Sequence, residues 1–336
     1  MHEFSHQILK HTLHQALHWI QSAPPIFCSD AHPLCVDHVL PGNLSLLTPT
    51  EKQLEKLASQ VQNKSNPLLG ILYETLWQFL VDELSETELL AHNLQVYSSD
   101  RLKTIGEFDL LYQHHQRTVH RELAVKFYLG LPCNNGSLSG SNWSNWVGPG
   151  LRDRLDIKMH RLIHHQISLS NSTEGRATLA AKNIKSSNIR RELLIQGRLF
   201  YPLASETFQN TTTRNSQTSH SLIFYQQPDH LSAALCPPPQ HCRPDHLRGY
   251  WMTLGQMEDQ QALFRDSHFQ LLSKYQWLSS EAENTQHRYK DIQNQLAGLQ
   301  RPIYLRASHP ESSLPVDLFI VPDDWPERAI QYAGDD

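Results

Sequence analysis

The sequence predicts an α/β protein with a mixed central sheet flanked by helices. Segments with apolar residues three and four positions apart fill the first part of the chain, as in amphipathic helices. Segments with alternating apolar residues follow, and then another helical segment and another strand candidate. This order is typical of a sheet covered by helices. With 336 residues and 39% hydrophobic content, the chain can bury a sizeable core.

We predict three regions along the chain. Residues 1–65 form an N-terminal helical segment, because apolar residues repeat with helical spacing near its start. Residues 66–203 form the core and contain the strongest helix and strand patterns. Residues 204–336 form a C-terminal α+β extension with mobile loops, because residues 205–221 are of low complexity.

Composition limits the classes of protein and of partner. No run of about 18 uncharged apolar residues is present, so we expect no membrane partner. The N-terminus lacks the basic start and apolar block of a signal peptide, so we expect a cytoplasmic protein. The net charge is −5, so nucleic-acid binding would need a local basic patch or metal ions. The sequence contains no P-loop and no dinucleotide fingerprint, so we expect no nucleotide cofactor.

Charged side chains gather on one face of a predicted hairpin within GEFDLLYQHHQRTVHRELAVKFYL (residues 106–129). Alternating apolar residues predict strands at 105–112 and 122–129. The first strand then has an apolar face formed by Phe108, Leu110 and Tyr112. If the strands pair, their polar faces coincide and collect Glu107, Asp109, Glu122 and Lys126.

This polar face has two interpretations. Three clustered carboxylates repel one another unless a cation lies among them, and their oxygens suit Mg²⁺ or Mn²⁺. Alternatively, the hairpin has a solvated charged face of the kind common in antiparallel sheets. Glu74 favours the metal site, because it lies among uncharged neighbours on a predicted helix just upstream. Taken alone, however, Glu74 is also compatible with an ordinary helix surface.

Basic residues follow on a predicted helix at 151–168. Arg154, Lys158, Arg161 and His165 lie at near-helical spacing and form a stripe suited to a polyanion. The alternative is again a solvated face, because two aspartates dilute the charge. In the predicted hairpin loop, Arg117, His120 and Arg121 offer further phosphate contacts, although a polar loop is the simpler explanation.

These motifs resemble the PD-(D/E)xK nuclease superfamily over residues 66–200. The pattern is a helical Glu, then G-x-x-D on a strand (residues 106–109), then an acid and a lysine on the next strand, then a helix. More narrowly, GEFDLLY, ELAVKFYLG, GRLFYPL and VPDDWP resemble an uncharacterised bacterial domain-of-unknown-function family assigned to that fold. The resemblance implies a restriction-endonuclease-like sheet within the predicted α/β architecture.

The resemblance also implies roles for individual residues. Asp109 would be the central metal ligand, Glu122 the second acid and Glu74 the helical acid. Lys126 would position or activate the attacking water. The Val125 carbonyl would be a further ligand.

On the following helix, Gln166 would match a glutamine that some members carry. In one respect the sequence departs from the superfamily pattern. The usual acid position, two residues before the lysine, holds Ala124, and the acid is Glu122, one pleat earlier on the same face.

The resulting hypothesis is a metal-dependent nuclease that hydrolyses phosphodiester bonds of nucleic acid with Mg²⁺ or Mn²⁺. The alternative is a catalytically inactive protein of the same fold that binds nucleic acid or protein, because Ala124 occupies the usual acid position. The sequence leaves open which of the two is correct. It also leaves open DNA versus RNA, endo- versus exonuclease action, and oligomeric state.

Two Cys/His clusters lie outside this pattern. Residues 28–38 contain Cys28, His32, Cys35 and His38, and residues 236–246 contain Cys236, His241, Cys242 and His246. Neither has the paired C-x2-C spacing that makes a zinc prediction strong. The chain has 21 histidines, so chance clusters are expected, and we favour an interpretation without metal.

Overall fold

A computed structural model describes residues 2–40, 46–64, 68–83, 86–132, 142–203, 236–264, 266–279, 287–310 and 315–334. Segment 205–221, predicted to be mobile, lies outside these residues. Within them, ten strands form one mixed sheet with helices packed against it, which confirms the predicted α/β class.

The α-helices are α1 (His2–Ser22), α2 (Glu51–Gln62), α3 (Leu69–Glu83), α4 (Leu155–Arg161), α5 (Thr173–Ala181), α6 (Leu254–Asp259), α7 (Tyr289–Leu296) and α8 (Trp325–Gly334). A π-helical turn, Leu162–Gln166, continues α4. α2 begins at a capping box in which the Thr50 hydroxyl accepts the Gln53 N–H and the Gln53 side chain accepts the Thr50 N–H. Across the described ranges, no helix is both long enough and apolar enough to cross a bilayer.

The strands are β1 (Thr87–Tyr97), β2 (Thr104–His114), β3 (Arg117–Gly130), β4 (Trp146–Val147), β5 (Arg190–Pro202), β6 (Arg248–Thr253), β7 (His268–Leu271), β8 (His287–Arg288), β9 (Ile303–Ser308) and β10 (Val316–Val321). Their order across the sheet is β1-β2-β3-β5-β6-β10-β9-β7-β8, and β4 pairs with β3. The central neighbours β3, β5, β6 and β10 run parallel, while the other pairs are antiparallel. Strands β6 to β10, from the region predicted as an extension, therefore continue the sheet of the core.

Both faces of the sheet are buried. On one face, α1, α2 and α3 pack through residues such as Leu57 and Trp77 against Leu123 and its neighbours. On the opposite face, α4, α6 and α7 cover a second cluster that includes Tyr128 and Leu305. Because helices cover both faces of the sheet, β5 is buried along almost its whole length rather than at alternate positions.

The hairpin of β2 and β3 is longer than the sequence predicted. The strands run to His114 and restart at Arg117, so the turn contains only two residues. His120 and Arg121 therefore lie within β3 and are buried, and their interpretation as phosphate contacts in a loop is wrong. Arg121 instead forms a buried ion pair with Glu192 at 2.5 Å. Opposite-charge partners make such burial tolerable, and no sequence period predicts them.

The predicted alternation of β2 also breaks at one position. Leu110 and Tyr112 join the cluster under α3, as expected. Phe108 instead belongs to a small cluster with Leu111, and its ring lies 4.8 Å from the ring of His120 between centroids. The change of side occurs next to Asp109.

Candidate metal site

The candidate site lies where β2 separates from β3. Main-chain pairing of the two strands ends at Leu110 and Arg121, while β3 continues alongside β5 as far as Leu129. Beyond this point, Asp109 Oδ2 accepts the main-chain N–H of Leu123 at 2.9 Å. The carboxylate thus takes the place of a ladder carbonyl and lies inside the fork between the strands.

Asp109 and Glu122 are the two buried acids of this fork. Their side chains are 8% and 0% exposed. Burial, together with the charges of Glu122 and Glu74, raises the pKa of Asp109 to about 8. Burial likewise raises the pKa of Glu122 to about 7. Burial is the largest cause of both shifts, and the charge of Lys158 opposes them.

Glu122 is held by hydrogen bonds at both carboxylate oxygens. His120 Nε2 lies 2.6 Å from Oε1, and Gln166 Nε2 donates to Oε2 at 3.0 Å. Burial lowers the pKa of His120 to about 3, so the imidazole is neutral at physiological pH and donates this hydrogen bond. The π-helical turn after α4 carries Gln166 to this position. The orientation of Glu122 is therefore fixed from both sides.

Glu74, on α3, is linked to the strands beside the fork by the side-chain amide of Asn93. Asn93 Nδ2 donates to Glu74 Oε2 at 2.8 Å and to Glu107 Oε1 at 3.0 Å, and Gln78 Nε2 donates to Asn93 Oδ1 at 2.5 Å. Asn93 faces Asp109 in the register of β1 and β2, between the pairs that flank both residues. Burial raises the pKa of Glu74, and the charge of Glu107 raises it further. One amide thus holds two carboxylates beside the fork.

Two lysines border the carboxylates. Lys158 donates to Gln166 Oε1 at 3.2 Å, and its charge lowers the pKa values of Asp109 and Glu122. Burial lowers the pKa of Lys158, and the charge of Lys126 lowers it further. Lys126 itself forms an ion pair with Asp153, and both side chains are partly exposed. Lys126 therefore lies at the rim of the site and Lys158 closer to the acids.

The predicted basic stripe is not continuous. Arg154 is buried, forms a two-pronged ion pair with Asp156, and donates to the carbonyls of Tyr332 and Ala333 near the end of α8. Arg161 and His165 are exposed, and Lys158 is half-buried. The regular helix is shorter than predicted, because α4 begins at residue 155 and changes to a π-helical turn at residue 162. Arg154 therefore serves the packing of α8 and does not extend a surface stripe.

The structure brings together Asp109, Glu122, Glu74, Lys158 and Gln166 from β2, β3, α3, α4 and the π-helical turn. Val125 pairs with Gln196 of β5, and its side chain belongs to the core under α3. Sequence reasoning missed Asn93 and Asp153, and it placed His120 in a loop. In the sequence, Asn93 is only an uncharged amide within a strand, and such residues are too common to indicate a site.

The buried carboxylates of the fork are of the ligand type that suits a hard divalent cation. Carboxylate oxygens, supported by an amide and a neighbouring carboxylate, are the ligands that Mg²⁺ and Mn²⁺ prefer. The raised pKa values of Asp109 and Glu122 mean that a cation would displace protons as it binds. Asp109 and Glu122 could both act as ligands, whereas the ligand atoms of Asp109, Glu122 and Glu74 do not all lie within 4.8 Å of one another.

The fold and this site define an α/β protein with a buried acidic cluster at a fork in its mixed sheet. The chain belongs to the family described as "Domain of unknown function (DUF1853)", which matches residues 15–307. No curated protein and no solved structure matched the chain.

Proposed function

We propose that this protein is a metal-dependent nuclease with a PD-(D/E)xK-like core. The observation that carries the proposal is the convergence of Asp109 and Glu122 in the fork of β2 and β3, beside the helical acid Glu74. These acids are far apart in sequence, and their raised pKa values indicate a demand for positive charge. Titratable groups with strongly shifted pKa values are concentrated at functional sites.

The order of elements supports the same proposal. Helix α3, strands β1, β2 and β3, helix α4 and strand β5 follow one another in the chain, and the four strands are adjacent in the order β1-β2-β3-β5. The helical acid, strand aspartate, strand acid with lysine, and following helix therefore occur in the sequence that the superfamily pattern requires. This agreement extends to Gln166, which contacts the second acid.

The departure at Ala124 is compatible with a working site. Ala124 is buried, with its small side chain in the cluster under α4, and Glu122 lies one pleat earlier on the same face of β3. Because Glu122 interacts electrostatically with Asp109, an acid at this position serves the same pocket as one at position 124. In this proposal, Glu122 takes the role of the acid that the superfamily pattern has at the position of Ala124.

The proposed chemistry is phosphodiester hydrolysis by water. When bound, Mg²⁺ or Mn²⁺ supplies polarisation of the phosphate and a lowered pKa of coordinated water. Asp109 and Glu122 would hold the ion, and the hydrogen bonds from His120 and Gln166 fix the orientation of Glu122. At the rim, the Lys126 ammonium would stabilise the charge that develops on the phosphate, after exchanging its contact with Asp153 for the substrate.

A nuclease assay with matched variants tests the proposal. The purified protein is incubated with Mg²⁺ or Mn²⁺ and single- or double-stranded DNA or RNA. We expect cleavage that is lost in Asp109→Asn and Lys126→Ala and retained in Glu88→Gln, which removes an exposed carboxylate on β1. Cleavage that persists unchanged in Asp109→Asn would contradict the proposal.

The second candidate is a catalytically inactive binding module. It is favoured by Lys158, whose ammonium group already offsets part of the acidic charge, and by the engagement of Lys126 with Asp153. Calorimetric titration with Mn²⁺ separates the two functions. The nuclease requires Mn²⁺ binding that Asp109→Asn abolishes. The binding module requires nucleic acid or protein binding that is independent of divalent ions.

A further inference from the structure

A second group of metal-ligating side chains lies at the far end of the β2–β3 hairpin. Glu86, His114 and His115 each offer a ligand atom, and these atoms lie within 4.8 Å of one another. Among the described residues, no other group of three His, Cys, Asp or Glu side chains meets this distance. The two Cys/His clusters do not meet it, although a β-bridge between Phe27 and Cys242 brings their segments together.

The turn geometry brings the two histidines to one side. Adjacent residues of a strand point to opposite faces, but His115 has a φ of 54°, in the left-handed region. Because the chain reverses there, its imidazole lies against that of His114, with ring centroids 4.2 Å apart. In this two-residue turn, the positive φ of His115 turns its side chain towards that of His114.

Glu86 reaches the same place from the segment that precedes β1. Thr87, the first residue of β1, pairs with His114, so the residue before it lies beside the hairpin turn. The Thr87 hydroxyl donates to the Val81 carbonyl at 2.6 Å, which ties this segment to the end of α3. The three side chains therefore come from two segments that are held by main-chain pairing.

A further observation points to a ligand here. His114 Nε2 is buried, and it has no hydrogen-bond partner among the described residues. Buried ring nitrogens in proteins are almost always satisfied, and a missing partner often marks an unseen ion or water.

We infer that Glu86, His114 and His115 form a site for a transition-metal ion such as Zn²⁺. Two imidazoles and one carboxylate are a ligand set that suits Zn²⁺ and leaves a fourth position open. Tetrahedral zinc ligands lie about 3.4 Å apart, so each separation needs to close by at most about 1.4 Å. Glu86 and His115 are exposed and can make that adjustment.

This site is independent of the proposed nuclease function. His114 follows Asp109 by five residues along β2, which at about 3.3 Å per residue separates them by roughly 17 Å. Its nitrogen ligands select borderline transition metals, whereas the carboxylates in the fork select hard ions. A bound ion would fasten the segment before β1 to the β2–β3 turn and so stabilise one edge of the sheet.

Zinc calorimetry on the full chain tests the inference. We expect the wild-type protein to bind one Zn²⁺ that is lost, or weakened at least about tenfold, in His115→Ala and in Glu86→Gln. Binding should persist in Asp109→Asn, which alters the other site. His18→Ala, which removes an exposed histidine on α1, is the matched control and should bind as the wild type does.

Both test positions are exposed, so these variants should keep the fold, which circular dichroism verifies. A thermal shift by Zn²⁺ in the wild type that disappears in His115→Ala would support the site. The inference is overturned if wild type binds no Zn²⁺, if His115→Ala binds as wild type does, or if His18→Ala loses as much affinity as His115→Ala.

Discussion

Replacing Asp109 by Asn should change how the stability of the metal-free protein depends on pH. In the folded protein, burial and the Glu122 charge raise the pKa of Asp109 from 3.8 to about 8. Between these values the folded state holds a proton that the unfolded state releases, so the wild type loses stability as pH rises. Asparagine has the same shape, keeps an oxygen that can accept the Leu123 N–H, and does not titrate.

The size of the expected stability loss follows from the pH range between the unfolded and folded pKa values of Asp109. Each pH unit between the two pKa values costs about 1.4 kcal/mol, so from about pH 6 to about pH 9 the wild type should lose about 2 to 3 kcal/mol relative to Asp109→Asn. Urea unfolding of both proteins in the presence of a chelator measures this difference at each pH. Parallel pH dependences for the two proteins would refute the interpretation that the fork confines an uncompensated carboxylate.

Three further changes test the surroundings of the site. Gly197→Ala should destabilise the fold by more than about 2 kcal/mol, because the φ of Gly197 is 145° and a Cβ there would lie 1.7 Å from the Lys126 carbonyl oxygen; urea unfolding measures the loss. Arg121→Met should cost about 1.5 to 3 kcal/mol, because Glu192 loses its buried partner and keeps only Arg190 and Tyr112, and a preserved unfolding midpoint would contradict this. Gln166→Ala should cost about 1 to 3 kcal/mol in metal-free protein, as two side-chain hydrogen bonds are lost, and should weaken Mn²⁺ binding in calorimetry.

Alternation placed Asp109 and Glu122 on one face of the predicted hairpin, and their carboxyl groups do interact in the structure. They meet beyond the last paired residues, however, where the alternation of β2 breaks at Phe108, so the strand period alone does not account for their approach. The α/β class followed from the order of helical and alternating segments. Such predictions succeed because period and order are local properties of the chain.

Other features depend on tertiary packing, which local patterns do not contain. The inward position of Lys158 depends on the angle at which α4 docks and on the π-helical turn that follows it. The role of Asn93 depends on the register between β1 and β2. The two-residue period of a strand predicts which face a side chain lies on, but it does not predict which residues of two strands are paired. Arg121 looked like a loop residue because its buried glutamate partner lies 71 residues away in the chain.

Anomalous diffraction from a crystal soaked with Mn²⁺ tests the central claim most directly. The site predicts a manganese peak in the fork of β2 and β3, about 2.0 to 2.6 Å from carboxylate oxygens of both Asp109 and Glu122. A fork without manganese at saturating concentration, with both carboxylates still directed into it, would contradict the claim that these acids form a metal site.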